Sequence, residues 1–335
     1  TLLLILSVLS GKVFAQLTIA SALCENAINP TGIALQNIHV GWELKATENN
    51  QYQTAYQVVI ASSIENLTAG KFDVYNYGIV KSNQSVLVSC KGTSLQPGQL
   101  YCWKLQVWDK KNIPSGWSSD QQFITGLFSK SDWSDARWIG YELLPDAMRV
   151  APGVHEPLAE TLGNRSVQRP VIPLFRKQFS VTKKVKSALL FVTGLGQYEL
   201  SLNGVKTGDA FLAPGWTYFD KTVLYNTYNV TQQLAQGNNA IGLMVGNGFY
   251  NINRERYFKI VTAFGMPAMI CRLKIVYEDG SIENIVSDAS WKTAPSPVTF
   301  SSIYSGEAYD ARLEQQGWNK AMFDDSKWMN SLLVK

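Results

Sequence analysis

Histidine is nearly absent from this chain, at 2 in 335 residues, and cysteine is scarce, at 4. Cys24, Cys90, Cys102 and Cys271 make no C-x-x-C pair and have no metal-ligand spacing, which excludes the common zinc frameworks. No run of Lys or Arg interleaves with aromatics, and 30 basic against 26 acidic residues leave a formal charge of only +4. That balance excludes a nucleic-acid partner. No apolar stretch reaches the ~18 residues of a membrane-spanning helix. No long segment repeats its apolar residues at helical spacing either. Strands must therefore build whatever core this chain has.

What is present is apolar and aromatic: 46% hydrophobic residues, 12% aromatic, with 10 Trp. A length of 335 residues suggests two domains. The first sixteen residues read TLLLILSVLSGKVFAQ, where the apolar Leu2–Leu9 run and Val13-Phe14-Ala15 have the form of a secretory signal and its cleavage site. Residues 1–16 are read as a partial signal peptide. The expected destination is periplasmic or secreted, with no membrane attachment after cleavage. Thr1 stands where Met would begin a chain, and Leu332-Leu333-Val334 before Lys335 carries no terminus signal, so the chain reads as a piece of a longer one.

Residues 17–128 are expected to form a fibronectin III/Ig-like β-sandwich. Tyr101, Trp103, Leu105 and Val107 alternate with Cys102, Lys104 and Gln106, the period of a half-buried strand. Cys102 should thus turn its thiol from the core, and a Cys90–Cys102 bridge is one option in an oxidising compartment. Leu95-Gln96-Pro97 followed by Tyr101 resembles the start of strand F in fibronectin type III domains, where a Tyr hydroxyl ties the corner to nearby backbone. No catalytic constellation is visible there, and Trp108 and Trp117 read as sheet-covering aromatics before they read as ligand platforms.

Residues 129–173 read as a linker and a long loop, rich in Pro and containing His155. Residues 174–335 return to strands, giving an all-β chain: a fibronectin type III-like sandwich followed by a jelly-roll β-sandwich. Within it, Tyr198, Leu200 and Leu202 alternate, Asn203-Gly204 signals a hairpin, and Ile241, Leu243 and Val245 alternate again before Gly246-Asn247-Gly248.

The order of Gly194-Leu195-Gly196-Gln197-Tyr198-Glu199-Leu200, Asn203-Gly204, Leu212-Ala213-Pro214-Gly215-Trp216-Thr217 and Gly246-Asn247-Gly248 resembles the N-terminal domain of bacterial α-L-rhamnosidases, glycoside hydrolase family 78. Ile285–Lys292, Gly306-Glu307 with Tyr309–Arg312, and Trp318 with Phe323–Trp328 extend the match to about residues 139–335. Phe249 and Asn229 depart from the commoner Trp and Asp. The resemblance implies inverting hydrolysis of terminal α-L-rhamnose from plant glycosides or pectic polysaccharides, by two carboxyl groups that flank the bond. It also implies that those carboxyls lie in a downstream (α/α)₆ barrel, so no catalytic residue is assigned in this chain. The expected partners are a rhamnose-containing glycan and that barrel.

A separate expectation concerns sugar contact. Sites for sugars combine an aromatic platform with carboxylates and amides. Trp216, Tyr218, Asp220, Asn247, Phe249 and Tyr250 are of those types and sit at strand ends; Glu307 is added as a cleft residue. The competing expectation makes these segments fold-keeping turns with Trp216 packed in the core. No cofactor is required. Calcium is an open option because related sandwich modules bind rhamnose through it, but no metal ligands can be named. Of the other carboxylates, Asp310 is expected to pair with Arg312 or hold a turn.

Overall fold

The computed structural model describes residues 17–34, 37–151, 163, 169–252, 255–257 and 259–334. The signal-like segment 1–16, His155 with most of its loop, and Asn253-Arg254 lie outside the described residues. The chain divides into two compact units, Thr1–Phe128 and Ser129–Lys335.

In the first unit the strand Leu100–Trp108 buries Tyr101, Trp103, Leu105 and Val107, as its alternation requires. It pairs antiparallel with Ala55–Ala61 and Gln121–Ile124, and Tyr75–Asn76 completes that sheet. The facing sheet is Leu17–Cys24, His39–Ala46 and Val88–Ser89. Between them pack Val40, Trp42, Val58, Ile60, Trp103 and Phe123. Each such side chain removed from water contributes about 1.5–3 kcal/mol. The Tyr101 hydroxyl oxygen accepts the backbone N–H of Gln96 at 2.7 Å, the corner bond implied by the fibronectin-like spacing.

Cys102 does leave the main core, yet it is buried. It packs with Val59, Ala61 and Leu67 on the other face of the sheet, under the short helix Ile64–Thr68. Ser63 caps that helix by accepting the N–H of Asn66 at 3.2 Å. Cys90 lies in the main core instead, and all four cysteines are free. The Cys90–Cys102 bridge is absent because the sheet separates the two thiols. Burial pushes the Cys90 thiol up to about 12 and that of Cys102 up to about 11.

The second unit is a sandwich of two six-stranded sheets. Its long strands alternate between them in chain order: Pro173–Val181 in one, Val185–Leu195 in the other, then Gln197–Leu202, Asn226–Asn229, Gly237–Gly246 and Ala268–Tyr277 in turn. That alternation is the jelly-roll pattern. Phe175, Leu190, Leu200, Leu243, Leu273 and Trp291 fill the space between. Asn203 and Gly204, at φ 54° and 82°, turn the chain so that Leu202 pairs with Val205.

A further layer covers the outside of the sheet that contains Pro173–Val181. Leu174 and Met244 point outward from it and meet Trp318, Phe323 and Trp328 of the C-terminal segment. Gly242 explains how closely that segment lies. A Cβ there would stand 2.8 Å from both the Trp318 ring and the Asn319 side chain, so only glycine admits the contact.

Candidate functional site

Two loops meet at one end of the jelly roll. Trp216 lies face to face on Phe249, with ring centroids 4.1 Å apart and planes 6° from parallel. Trp216 is 59% exposed, so its outer face is open to solvent. The expectation that Trp216 packs in the core is therefore corrected: its loop, Gly215–Tyr218, runs outside the sandwich, and the indole finds its partner on a neighbouring loop.

The other predicted residues divide into surface and support. Tyr218 is 40% exposed and meets the edge of Phe264. Phe264 in turn stacks on Tyr250, and Phe219 packs its edge against both. Tyr250 itself is buried, and burial pushes its hydroxyl up to about 12. Asp220 is held by Arg149 at 2.6 Å, while the same guanidinium donates to the Phe264 carbonyl oxygen at 3.0 Å. Asn247 is only 2% exposed, and its amide donates to the Ser301 carbonyl oxygen at 2.7 Å. Ser301 stands opposite Glu307 in the hairpin Val298–Ser302/Gly306–Tyr309, and Glu307 is exposed there.

All seven residues thus belong to one connected arrangement, with different duties. Trp216, Phe249, Tyr218 and Asp220 face outward or lie half-covered, and Glu307 stands exposed on the adjoining hairpin. Tyr250 and Asn247 cannot touch a solute, because they lie beneath and fasten the loops. Close backbone approach sets their position. Gly196, at φ 119°, passes so near strand end Gly246 that a Cβ would fall 2.0 Å from its carbonyl oxygen. Sequence reasoning missed Arg149, Phe219, Phe264 and Ser301. Arg149 sits in a stretch without periodicity, while the run Val261–Phe264 offered the only signal, a short segment whose middle residues Thr262 and Ala263 pair with Asn251–Ile252.

Asp310 and Glu255 are engaged elsewhere. Arg312 grips Asp310 with two bonds of 2.8 and 2.6 Å, as the sequence suggested, and Arg169 lies 3.4 Å from Glu255. Among the described residues no group of three or more His, Cys, Asp or Glu side chains could hold a metal ion. With Asp220 taken by Arg149, the surface residues do not fit a calcium site, and no role is derived for that ion. No described helix is long and apolar enough to cross a membrane.

Comparison with known proteins follows this geometry. Residues 19–129 match the Rha78A-like N-terminal immunoglobulin domain, and residues 183–335 match the α-L-rhamnosidase N-terminal domain. An α-L-rhamnosidase of Formosa agariphila is 35% identical over 90% of this chain and 32% of its own length. The solved α-L-rhamnosidase of Dictyoglumus thermophilum is 39% identical, with a TM-score of 0.79 over 95% of this chain and 34% of its own. That of Aspergillus terreus is 29% identical, with a TM-score of 0.78. The chain carries the N-terminal β-domains of the α-L-rhamnosidase family. It spans about a third of the length of these relatives.

Proposed function

We propose that this chain is the accessory, non-catalytic part of a periplasmic or secreted α-L-rhamnosidase. The parent enzyme would hydrolyse terminal α-L-rhamnose from plant glycosides or pectic polysaccharides with inversion. The second unit would help hold the glycan and brace an (α/α)₆ catalytic barrel. Those family domains support the reaction class, and the carboxylates support the non-catalytic role. A general acid needs a raised pKa and a second carboxyl about 6.5–9.5 Å away. The described carboxyls with displaced pKa values, Asp73, Asp279, Asp310 and Asp324, are all displaced downward.

The observation that carries the glycan contact is the Trp216–Phe249 stack with its open indole face. A pyranose presents a C–H face that an indole covers well, and Tyr218 and Asp220 stand in the same loop to meet hydroxyl groups. Calorimetric titration of the chain with L-rhamnose, with and without calcium, tests this reading. A reduced saturable heat in Trp216→Ala, with an unchanged melting temperature, is the expected result. An equal heat in the variant would remove the platform and leave a scaffold role. The same preparation should not cleave an aryl α-L-rhamnoside.

A further inference from the structure

We propose that the second unit carries a separate binding groove for a short neutral saccharide, between the outer face of a sheet and the segment that straps it. The groove measures about 430 Å³ and shares no residue with the Trp216 surface. Its floor is the outward face of Gln197–Leu202 and Gly237–Gly246, and its wall is residues 314–319. Gly242 holds the two together at the distance described above, so the groove is built by close packing.

The lining decides the ligand class. Met244 and Trp318, both half-buried, give one apolar strip over the buried Leu174, suited to the C–H face of a sugar. Around it stand the amides of Gln316 and Asn319, neither of which makes a side-chain hydrogen bond among the described residues. An amide both donates and accepts, as hydroxyl recognition requires. The cation that lines the groove is paired, and Glu314 keeps its negative charge. Lys206 lies 3.2 Å from Glu199 and over the Phe211 ring at 4.9 Å, and Tyr309 hydrogen-bonds the Glu314 carboxylate.

With its lining cation Lys206 paired to Glu199, and Glu314 left negative, the groove disfavours phosphates and uronic acids. An extended peptide is disfavoured as well. Strand addition needs an open sheet edge, whereas this floor is a sheet face whose central backbone groups are paired with the strands on either side. A volume at the lower end of the small-ligand range suits a short saccharide better than a polymer.

The test is a titration of the whole chain followed by NMR at the Gln316 and Asn319 side-chain amides. L-rhamnose and D-galactose serve as neutral probes, and D-galacturonate as the acidic one. The neutral sugars should move both amide signals saturably, while galacturonate leaves them in place. Gln316→Ala with Asn319→Ala, followed at the Trp318 indole N–H of the same groove, should weaken binding at least about fivefold, the worth of roughly one hydrogen bond. Trp216→Ala should leave these shifts unchanged, which separates this site from the platform. The groove is refuted if the amides stay still with both neutral sugars, if galacturonate moves them equally, or if Trp216→Ala abolishes the shifts.

Discussion

Arg176 is wholly buried and donates to the carboxylate of Asp325, 149 residues further along the chain. Its other N–H groups reach the carbonyl oxygens of Trp318 at 2.9 Å, Lys320 at 3.0 Å and Phe323 at 3.4 Å. One side chain from the sheet thus gathers the backbone of the covering segment around its fork. Only a planar guanidinium has donors in enough directions to do so.

The first prediction concerns that fork. Arg176→Ala would leave one carboxylate and three carbonyls without their donor, and removing one partner of a buried pair costs about 3–5 kcal/mol. Asp325 keeps some solvent contact, so the lower end is expected. Arg176→Lys should recover little, because one ammonium cannot span the three carbonyls. Urea unfolding of the second unit measures both, and a loss below about 1 kcal/mol for the alanine variant would contradict the anchoring role.

A second prediction concerns Gly196. Alanine there must occupy both a left-handed backbone and the space of the Gly246 carbonyl. The cost should be at least about 2 kcal/mol, from strain together with displacement of the neighbouring strand end. Because that strand end leads into Asn247 and Phe249, near-ultraviolet circular dichroism should report loss of the Trp216–Phe249 stack. An unchanged spectrum and melting temperature would show that the two loops are not braced against each other here.

The third prediction is acid sensitivity. Hydrogen bonds from Lys183, then from Ser281, hold the Asp279 carboxyl below its ordinary range. Bonds from the Arg312 side chain, then its backbone N–H, do the same for Asp310. A carboxyl with a depressed folded-state pKa stabilises the fold above its unfolded value and loses that contribution as pH falls. Stability should therefore be flat near neutrality and start to decline below about pH 4. Asp279→Asn and Asp310→Asn together should make that decline shallower in urea titrations across this range. An identical slope in the double variant would assign the acid loss to other groups.

Much of the fold was legible because strands with one buried face write their period into the chain. Cys271, Leu273, Ile275 and Tyr277 alternate in sequence and are buried in the sandwich. Asn203-Gly204 names its own hairpin, since few other pairs accept positive φ at both positions. The site was legible only as a set of residue types. Trp216 and Phe249 lie 33 positions apart, and nothing local states that two loops will stack. Arg176 reads as one polar residue in an ordinary strand, and its five donors find their purpose only when the C-terminal segment folds over them. Cys102 turned outward as its period required, but the helix that covers it comes from a different part of the chain.

The division between Tyr250 with Asn247 below and Trp216 with Phe249 above has a consequence for change over time. The buried pair holds the loops in place whatever ring stands outside. The outer rings can then be exchanged at little cost to the sandwich.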